Sequence, residues 1–287
     1  MDSKSFNYLN ELAIDNISLI KYDEMEDCFP KLKDARKNRS KVEYFFTCSP
    51  AVCKMIIEKN SKIESITYLD ADLFFFSNPK PIFDEIKDKS IAIIEHRFSL
   101  ITRPNLKYGK FNVGWITFLN DDQGIKCLNE WFEDCLNWCY QKVDGSRYAD
   151  QKYLNTWPDK YENLIIIKNK GANLAPWNIS KYSLTKKDDG IYVDSDKLIF
   201  YHFANLNRIG KNKFKTNLSR VFVSTIGIIK DHIYLPYLNE IQKNSLEAGI
   251  QSVPKQKFDH KSFFINILAK MSRKIRDFLF NDVIEIN

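Results

Sequence analysis

Ile66-Thr67-Tyr68-Leu69-Asp70-Ala71-Asp72-Leu73-Phe74-Phe75-Phe76 is the stretch that decides how this chain folds. An aspartate is costly to take out of water unless a partner or a metal meets its charge. Here two aspartates stand one residue apart, between one short β-prone segment and another, with apolar residues on both sides. The small Ala71 lets the backbone turn tightly while both carboxylates reach one point. Oxygen ligands in this number suit magnesium or manganese, which fill their other positions with water and substrate phosphates. Taken alone, the pair reads either as a divalent-cation site or as a solvated strand-to-turn junction.

Working outward, Ser65–Leu69 and Leu73–Phe76 read as strands, and Ser77-Asn78-Pro79 with Pro81 punctuates the exit. Upstream, residues 5–14 read as a short helix and Ile17–Lys21 as a strand. Ser40 is placed to cap a long helix reaching about Asn60, with Val42, Phe45, Phe46, Val52, Met55, Ile56 and Ile57 on its inner face. Downstream, Ser90–Glu95 is too continuously apolar for a half-exposed strand. A polar loop over 96–110 leads to strand Phe111–Leu119, and Asp121 caps a helix carrying Trp131 and Trp138.

Asp150–Trp157 reads as helix, and Leu164–Ile167 and Lys197–Phe203 read as strands. From Leu218 to near Leu246 the pattern is helical. A linker with Gly249, Ser252 and Pro254 then leads to a last helix over Lys261–Phe280. Strands alternating with helices predict an α/β sheet covered on both faces, with ligands outside the carboxyl ends of its strands. Asp70 and Asp72 stand at such an end.

The bulk numbers narrow the class. With 287 residues, 44% hydrophobic and 28% charged, the chain can bury one large core. No apolar run is long enough to cross a bilayer, and the first twenty residues lack an export signal, so the expected location is cytoplasmic. The net charge of +6 is spread along the sequence. Lysines interleaved with acids do not make a nucleic-acid pattern, whereas anionic substrates or an anionic membrane surface stay open. The six cysteines show no CxxC spacing and no neighbouring histidine; Cys127, Cys135 and Cys139 near one helix face allow a thiolate cluster, but buried, reduced core thiols are the better reading.

Other residues carry chemistry only in combination. His202 follows the apolar strand Leu198-Ile199-Phe200-Tyr201 and precedes a basic loop, Arg208 to Lys215. It could complete a two-carboxylate metal site, with Lys211, Lys213 and Arg208 meeting phosphate oxygens; alone it reads as a core-edge histidine beside solvated lysines. Asn112 and Gly114 interrupt an apolar strand, either for a close-lying ligand or for a bulge. Asp150-Gln151 opens its segment either as an N-cap or beside a reacting group. Arg36 and Arg39 flank the start of the long helix, where cations do not help the helix dipole; they read as anion-binding or as solvated.

Together, in this order, Arg39-Ser40 through Glu43-Tyr44-Phe45, Tyr68-Leu69-Asp70-Ala71-Asp72, Phe111-Asn112-Val113-Gly114, Asp150-Gln151 with Leu154-Asn155, and Tyr201-His202-Phe203 with downstream lysines resemble the GT-A glycosyltransferases of the glycogenin and bacterial lipopolysaccharide galactosyltransferase type. The match covers roughly residues 5–215 and is most specific around Asp70. The resemblance implies a GT-A (Rossmann-like) mixed sheet flanked by helices, with a C-terminal helical extension. It implies a metal-dependent hexosyltransferase that moves a sugar from a nucleotide-diphosphate donor to a cell-surface glycan or lipid-linked acceptor with retention. Its cofactor would be Mn2+ or Mg2+, held by Asp70, Asp72 and His202. Lys211, Lys213, Arg36, Arg39, Asn112 and Gly114 would bind the donor, and Asp150 and Gln151 would stand at the reacting sugar.

The family's fold begins with a strand–helix–strand unit of about 30 residues or more, and this chain reads as starting after it. In the family the late histidine is followed by a short Gly-containing segment and then Lys-Pro, whereas here Asn207-Arg208-Ile209-Gly210-Lys211 runs on without that proline. Two other classes compete. One is a catalytically inactive glycan- or nucleotide-binding remnant. The other is a haloacid-dehalogenase-type phosphotransferase, which needs Thr or Val where Phe74 stands, and a later acidic pair after a strand rather than Asp188-Asp189 in a polar turn. The expected division is a glycosyltransferase domain over 1–257 and a basic amphipathic helix over 258–287. That helix interleaves Phe263, Phe264, Ile267, Leu268, Met271, Ile275, Phe278 and Leu279 with Lys261, Lys270, Arg273, Lys274 and Arg276, and suits its own domain, a second copy or an anionic membrane face.

Overall fold

The computed structural model describes residues 1, 3–249 and 273–286. Its elements run α1 (Ser3–Glu11), α2 (Tyr22–Cys28), α3 (Leu32–Asn38), α4 (Lys41–Lys59), β1 (Ser65–Leu69), β2 (Leu73–Phe75), α5 (Lys80–Ile86), β3 (Ile91–Glu95), β4 (Phe111–Leu119) and α6 (Asp122–Asn137). There follow α7 (Trp157–Lys160), β5 (Leu164–Ile167), β6 (Leu184–Lys187), β7 (Gly190–Val193), β8 (Asp196–Lys197), β9 (Phe200–His202), β10 (Asn207–Arg208), β11 (Lys213–Lys215), α8 (Leu235–Glu247) and β12 (Val283–Glu285). Two compact units draw on interleaved segments. The first takes Met1–Ala71, Lys80–His96 and Pro104–Lys168; the second takes Asp72–Pro79, Arg97–Arg103 and Asn169–Asn287.

In the first unit a mixed sheet has the order β1-β4-β3-β5, with β1 and β3 antiparallel to β4 and β3 parallel to β5. Residues of opposite parity on a strand face opposite sides. Phe118 accordingly meets Trp131 of α6, with ring centroids 6.0 Å apart, while Trp115 meets Phe83 of α5 at 5.6 Å. The fold is α/β, a mixed sheet flanked by helices. Ser40 caps α4 as its position predicts: its Oγ accepts from the Glu43 N–H at 3.3 Å, and the Glu43 carboxylate accepts from the Ser40 N–H at 2.9 Å. Asp121 caps α6 in the same way through Gly124.

Several expectations are corrected. Residues 17–21 form no strand; α2 and α3 follow them and pack under α4. Val42 and Phe45, read as core, are exposed, because the buried face of α4 is carried by Tyr44, Cys48, Ala51, Met55 and Ile57. Asp150–Trp157 is not one helix: a 3-10 segment over Lys152–Thr156 precedes α7. The strand expected over Lys197–Phe203 is two, β8 and β9, and the β6–β7 hairpin before them was not anticipated. The helical run expected from Leu218 to near Leu246 holds over its later part, Ile229–Tyr234 and α8, but begins as a separate 3-10 turn, Leu218–Val221, that ends at Phe222 in a left-handed conformation (φ 57°). Cys48, Cys53, Cys127, Cys135 and Cys139 are buried as expected, and Cys28 is exposed.

The second unit has its own core around Tyr201, Phe203, Phe214, Tyr234, Leu238 and Ile284. Here β2 pairs with β9, β7 lies between β6 and β8, and β11 lies between β10 and β12. The buried Asp282 closes its C-terminal part: one carboxylate oxygen accepts from Thr216 Oγ1 at 2.7 Å and the other from Ser219 Oγ at 2.8 Å. Residues 273–279 are helical. The expected boundary at 257/258 and the segment 258–272 of the basic helix lie outside the described residues.

Candidate functional site

The pairing of β2 with β9 sets Leu73 opposite His202, so the residue before Leu73 arrives beside the histidine. Asp72 O accepts from the Phe203 N–H at 2.9 Å, and His202 Nε2 lies 2.9 Å from Asp72 Oδ1. His202 is buried and Asp72 half-exposed. Burial penalises the Asp72 charge, but the His202 hydrogen bond and charge outweigh it, so this carboxyl lies below its usual value. The ring of Trp177 stands edge-on to His202 at 5.0 Å. Its own backbone carbonyl accepts from Ser99 N at 3.0 Å and from Thr102 Oγ1 at 2.5 Å. These contacts all belong to the second unit.

In the first unit, Tyr68 lies on β1 and Asp70 directly follows the end of that strand. Tyr68 Oη donates to Asp70 Oδ1 at 3.1 Å, and Ser49 Oγ donates to Tyr68 Oη at 3.2 Å. Asp150 is almost fully buried nearby. Its backbone carbonyl accepts from Trp131 Nε1 at 2.8 Å, and the preceding Ala149 is held at φ 46°. A non-glycine residue there is strained, and such strain gathers at functional positions. Burial, followed by repulsion from Asp70, pushes Asp150 up to about 8 against an opposing hydrogen bond from Ser49. Asp70 is two residues before Asp72, and the chain holds their Cα atoms no more than about 7.6 Å apart. With His202 they form two carboxylates and an imidazole, a set able to hold a metal ion.

The other expected residues fall in several places. Asn112 and Gly114 occupy a bulge: Ile93 pairs with Ile116 but Ile94 pairs with Asn112. Asn112 Oδ1 accepts from the Gly114 N–H at 3.1 Å, and its Nδ2 lies 3.4 Å from His96 Nε2. Gln151 Nε2 donates to Tyr108 O at 3.0 Å. Lys211 is exposed in the β10–β11 turn, and Lys213 pairs with Glu285 at 3.2 Å. The two arginines differ: the Arg36 side chain is half-exposed and paired, whereas Arg39 is buried. Arg36 Nη1 is 3.2 Å from the buried Glu26. Arg39 is itself buried, bonded to Thr47 Oγ1 and to the carbonyls of Cys135 (2.7 Å) and Leu136 (2.6 Å). A buried guanidinium must spend its donors on protein acceptors, so Arg39 ties α4 to the end of α6.

Ser49 and Trp177 were missed, since only the tertiary fold brings them to Tyr68 and His202. Tyr68 was quoted without a role, although its place two residues before Asp70 was a readable signal.

No protein-family model matches the chain. It is 32% identical over 251 residues to YfnD, an uncharacterized protein of Bacillus subtilis (strain 168), across 85% of this chain and 78% of that protein. It is 29% identical over 260 residues to YfnF, another uncharacterized protein of the same strain, across 88% of this chain and 82% of that protein. Likenesses to solved structures are slight. One is to a glycosyltransferase involved in glycosylation of the major capsid of PBCV-1, with TM-score 0.39, 11% identity, and coverage of 58% of this chain and 73% of that one. Another is to the galactosyltransferase LgtC with donor and acceptor sugar analogues, with TM-score 0.38, 13% identity, and coverage of 71% and 68%.

Proposed function

The chain belongs to the same family as the Bacillus subtilis protein YfnD, and we propose that it is a metal-dependent glycosyltransferase. It moves a sugar from a nucleotide-diphosphate donor to a cell-surface glycan or lipid-linked acceptor, with retention. The observation that carries this reading is the 2.9 Å pairing of Asp72 with His202, directly after Asp70-Ala71. The order of the Asp70, Asn112, Asp150 and His202 segments supports it as well.

The donor set fits the ion. Two carboxylates and one imidazole suit manganese, or magnesium with more water, and leave positions for phosphate oxygens. Asp70, Asp72 and His202 would hold the ion, which would supply Lewis-acid stabilisation of negative charge on a diphosphate leaving group. Lys211, exposed in its turn, adds a positive charge for phosphate; Lys213 does so only by leaving Glu285. Asn112 and Gly114 shape the sugar-facing strand through their bulge. Asp150 and Gln151 are held rigidly by Trp131 and Tyr108, as residues beside a reacting centre must be.

Thermal melting with manganese and a nucleoside diphosphate tests the site. The pair raises the Tm of the wild type, and Asp72→Ala and His202→Ala abolish the rise; an unchanged rise in either variant removes the metal assignment. Release of sugar or diphosphate over a panel of nucleotide sugars tests the activity. Release from no donor turns the reading to a binding remnant.

A further inference from the structure

Several large apolar side chains of the second unit are exposed, three of them on its C-terminal helical stretch. Ile275, Phe278 and Leu279 are 58%, 82% and 65% exposed. Spaced i, i+3 and i+4 on the helical stretch 273–279, they lie on one helix face. The other side of this stretch is fastened to the unit. Asp277 pairs with Lys215 and accepts from Ser219 Oγ at 3.2 Å. The carbonyl of Phe280 accepts from Thr225 N at 2.9 Å and from Ser224 Oγ at 3.3 Å.

Those last two bonds bring the loop 222–226 alongside, and with it Phe222 (62% exposed) and Ile226 (56% exposed). The Phe222 ring meets Phe280 edge-on at 6.0 Å. Phe222 also sits at φ 57°, where glycine or asparagine is usual. A bulky side chain there is strained, and no burial of the ring compensates it. An aromatic ring held out to water at this cost fits a surface that is covered in use.

The charge on the same segments selects what covers it. Arg220 precedes Phe222, and Arg273 and Lys274 open the helical stretch; all three are exposed. The one acid within 273–279, Asp277, is neutralised by Lys215. Aromatic and aliphatic side chains with a basic rim match an anionic lipid interface: apolar groups enter the acyl boundary and cations meet the headgroups.

We propose that Phe222, Ile226, Ile275, Phe278 and Leu279, rimmed by Arg220, Arg273 and Lys274, form a docking face for an anionic bilayer surface. The inference is independent of the metal site and holds whatever reaction the chain performs.

Co-sedimentation of the full chain with phosphatidylcholine vesicles, and with vesicles of phosphatidylcholine and phosphatidylglycerol in equal parts, tests it. The wild type pellets with the mixed vesicles, and does so at least about tenfold less with phosphatidylcholine alone or at high salt. The double variant F222S/F278S lowers pelleting by about tenfold while keeping the wild-type Tm, since both rings are largely exposed. R273E/K274E lowers it without touching an apolar residue. Pelleting unchanged in both variants overturns the proposal, as does a wild type that ignores anionic lipid. A concentration-dependent dimer of the wild type that F222S/F278S abolishes also overturns it, assigning the face to a second copy of the chain.

Discussion

Asp150 joins two facts that rarely coexist in one carboxyl: it is almost wholly buried, and it lies within the field of a second acid. Its folded value near 8 lies above its ordinary value of 3.8, so the folded chain keeps a proton that the unfolded chain has released. Stability from this proton is complete below the unfolded value and is lost as pH rises through the folded one. With metal chelated, the Tm therefore falls between about pH 5 and about pH 8, and Asp150→Asn flattens that slope. A variant with the wild-type slope places the titration elsewhere. Asp70, Asp72 and His202 could be singled out in the sequence because acids and a histidine at strand ends are conspicuous among apolar neighbours. Arg39 misled for the same reason: its charge suggested an external anion, whereas its acceptors come from Cys135 and Leu136, nearly a hundred residues away.

Among the elements, local chemistry was legible wherever it alone decides. The Ser40–Glu43 box, the Asp121 cap and the β1 and β4 boundaries follow from cap residues and apolar runs. Ser40→Ala should cost about 1 kcal/mol, read as a shift in denaturant midpoint with unchanged slope. Elements set by long-range packing were not legible. Nothing in Leu198-Ile199 announces a break between β8 and β9, and a phenylalanine gives no warning of a left-handed turn. Gly171 shows what fixes β9: its carbonyl accepts from Ile199 N at 2.8 Å and Phe200 N at 3.2 Å. A Cβ at Gly171 would lie 1.9 Å from the Lys197 carbonyl oxygen. Gly171→Ala should cost about 3 kcal/mol and, by shifting β9, weaken the metal-dependent Tm rise. A variant as stable and as metal-responsive as the wild type would refute that role.

At the scale of the whole molecule the composition excluded little beyond a membrane span, and no helix among the described residues is long and apolar enough to be one. The interleaving of the two units was invisible, because a contact between Phe75 and Phe200 leaves no trace in local pattern. It has a direct outcome: residues 169–287 expressed alone lack β2, the partner of β9. Such a piece should melt without a cooperative transition, whereas a sharp transition would show that β9 does not need that partner.

The same division sorts the aromatic residues. Trp115, Trp131, Trp138 and Trp157 belong to the first unit, and Trp177 is the remaining tryptophan of the five. Trp177 touches His202 and is the sole indole of the second unit. With the other four changed to phenylalanine, its emission becomes a label-free optical gauge of the histidine's surroundings. Paramagnetic manganese should quench it, while diamagnetic magnesium should leave its intensity nearly unchanged. The protein thus carries an intrinsic spectroscopic probe beside the group on which its proposed chemistry depends.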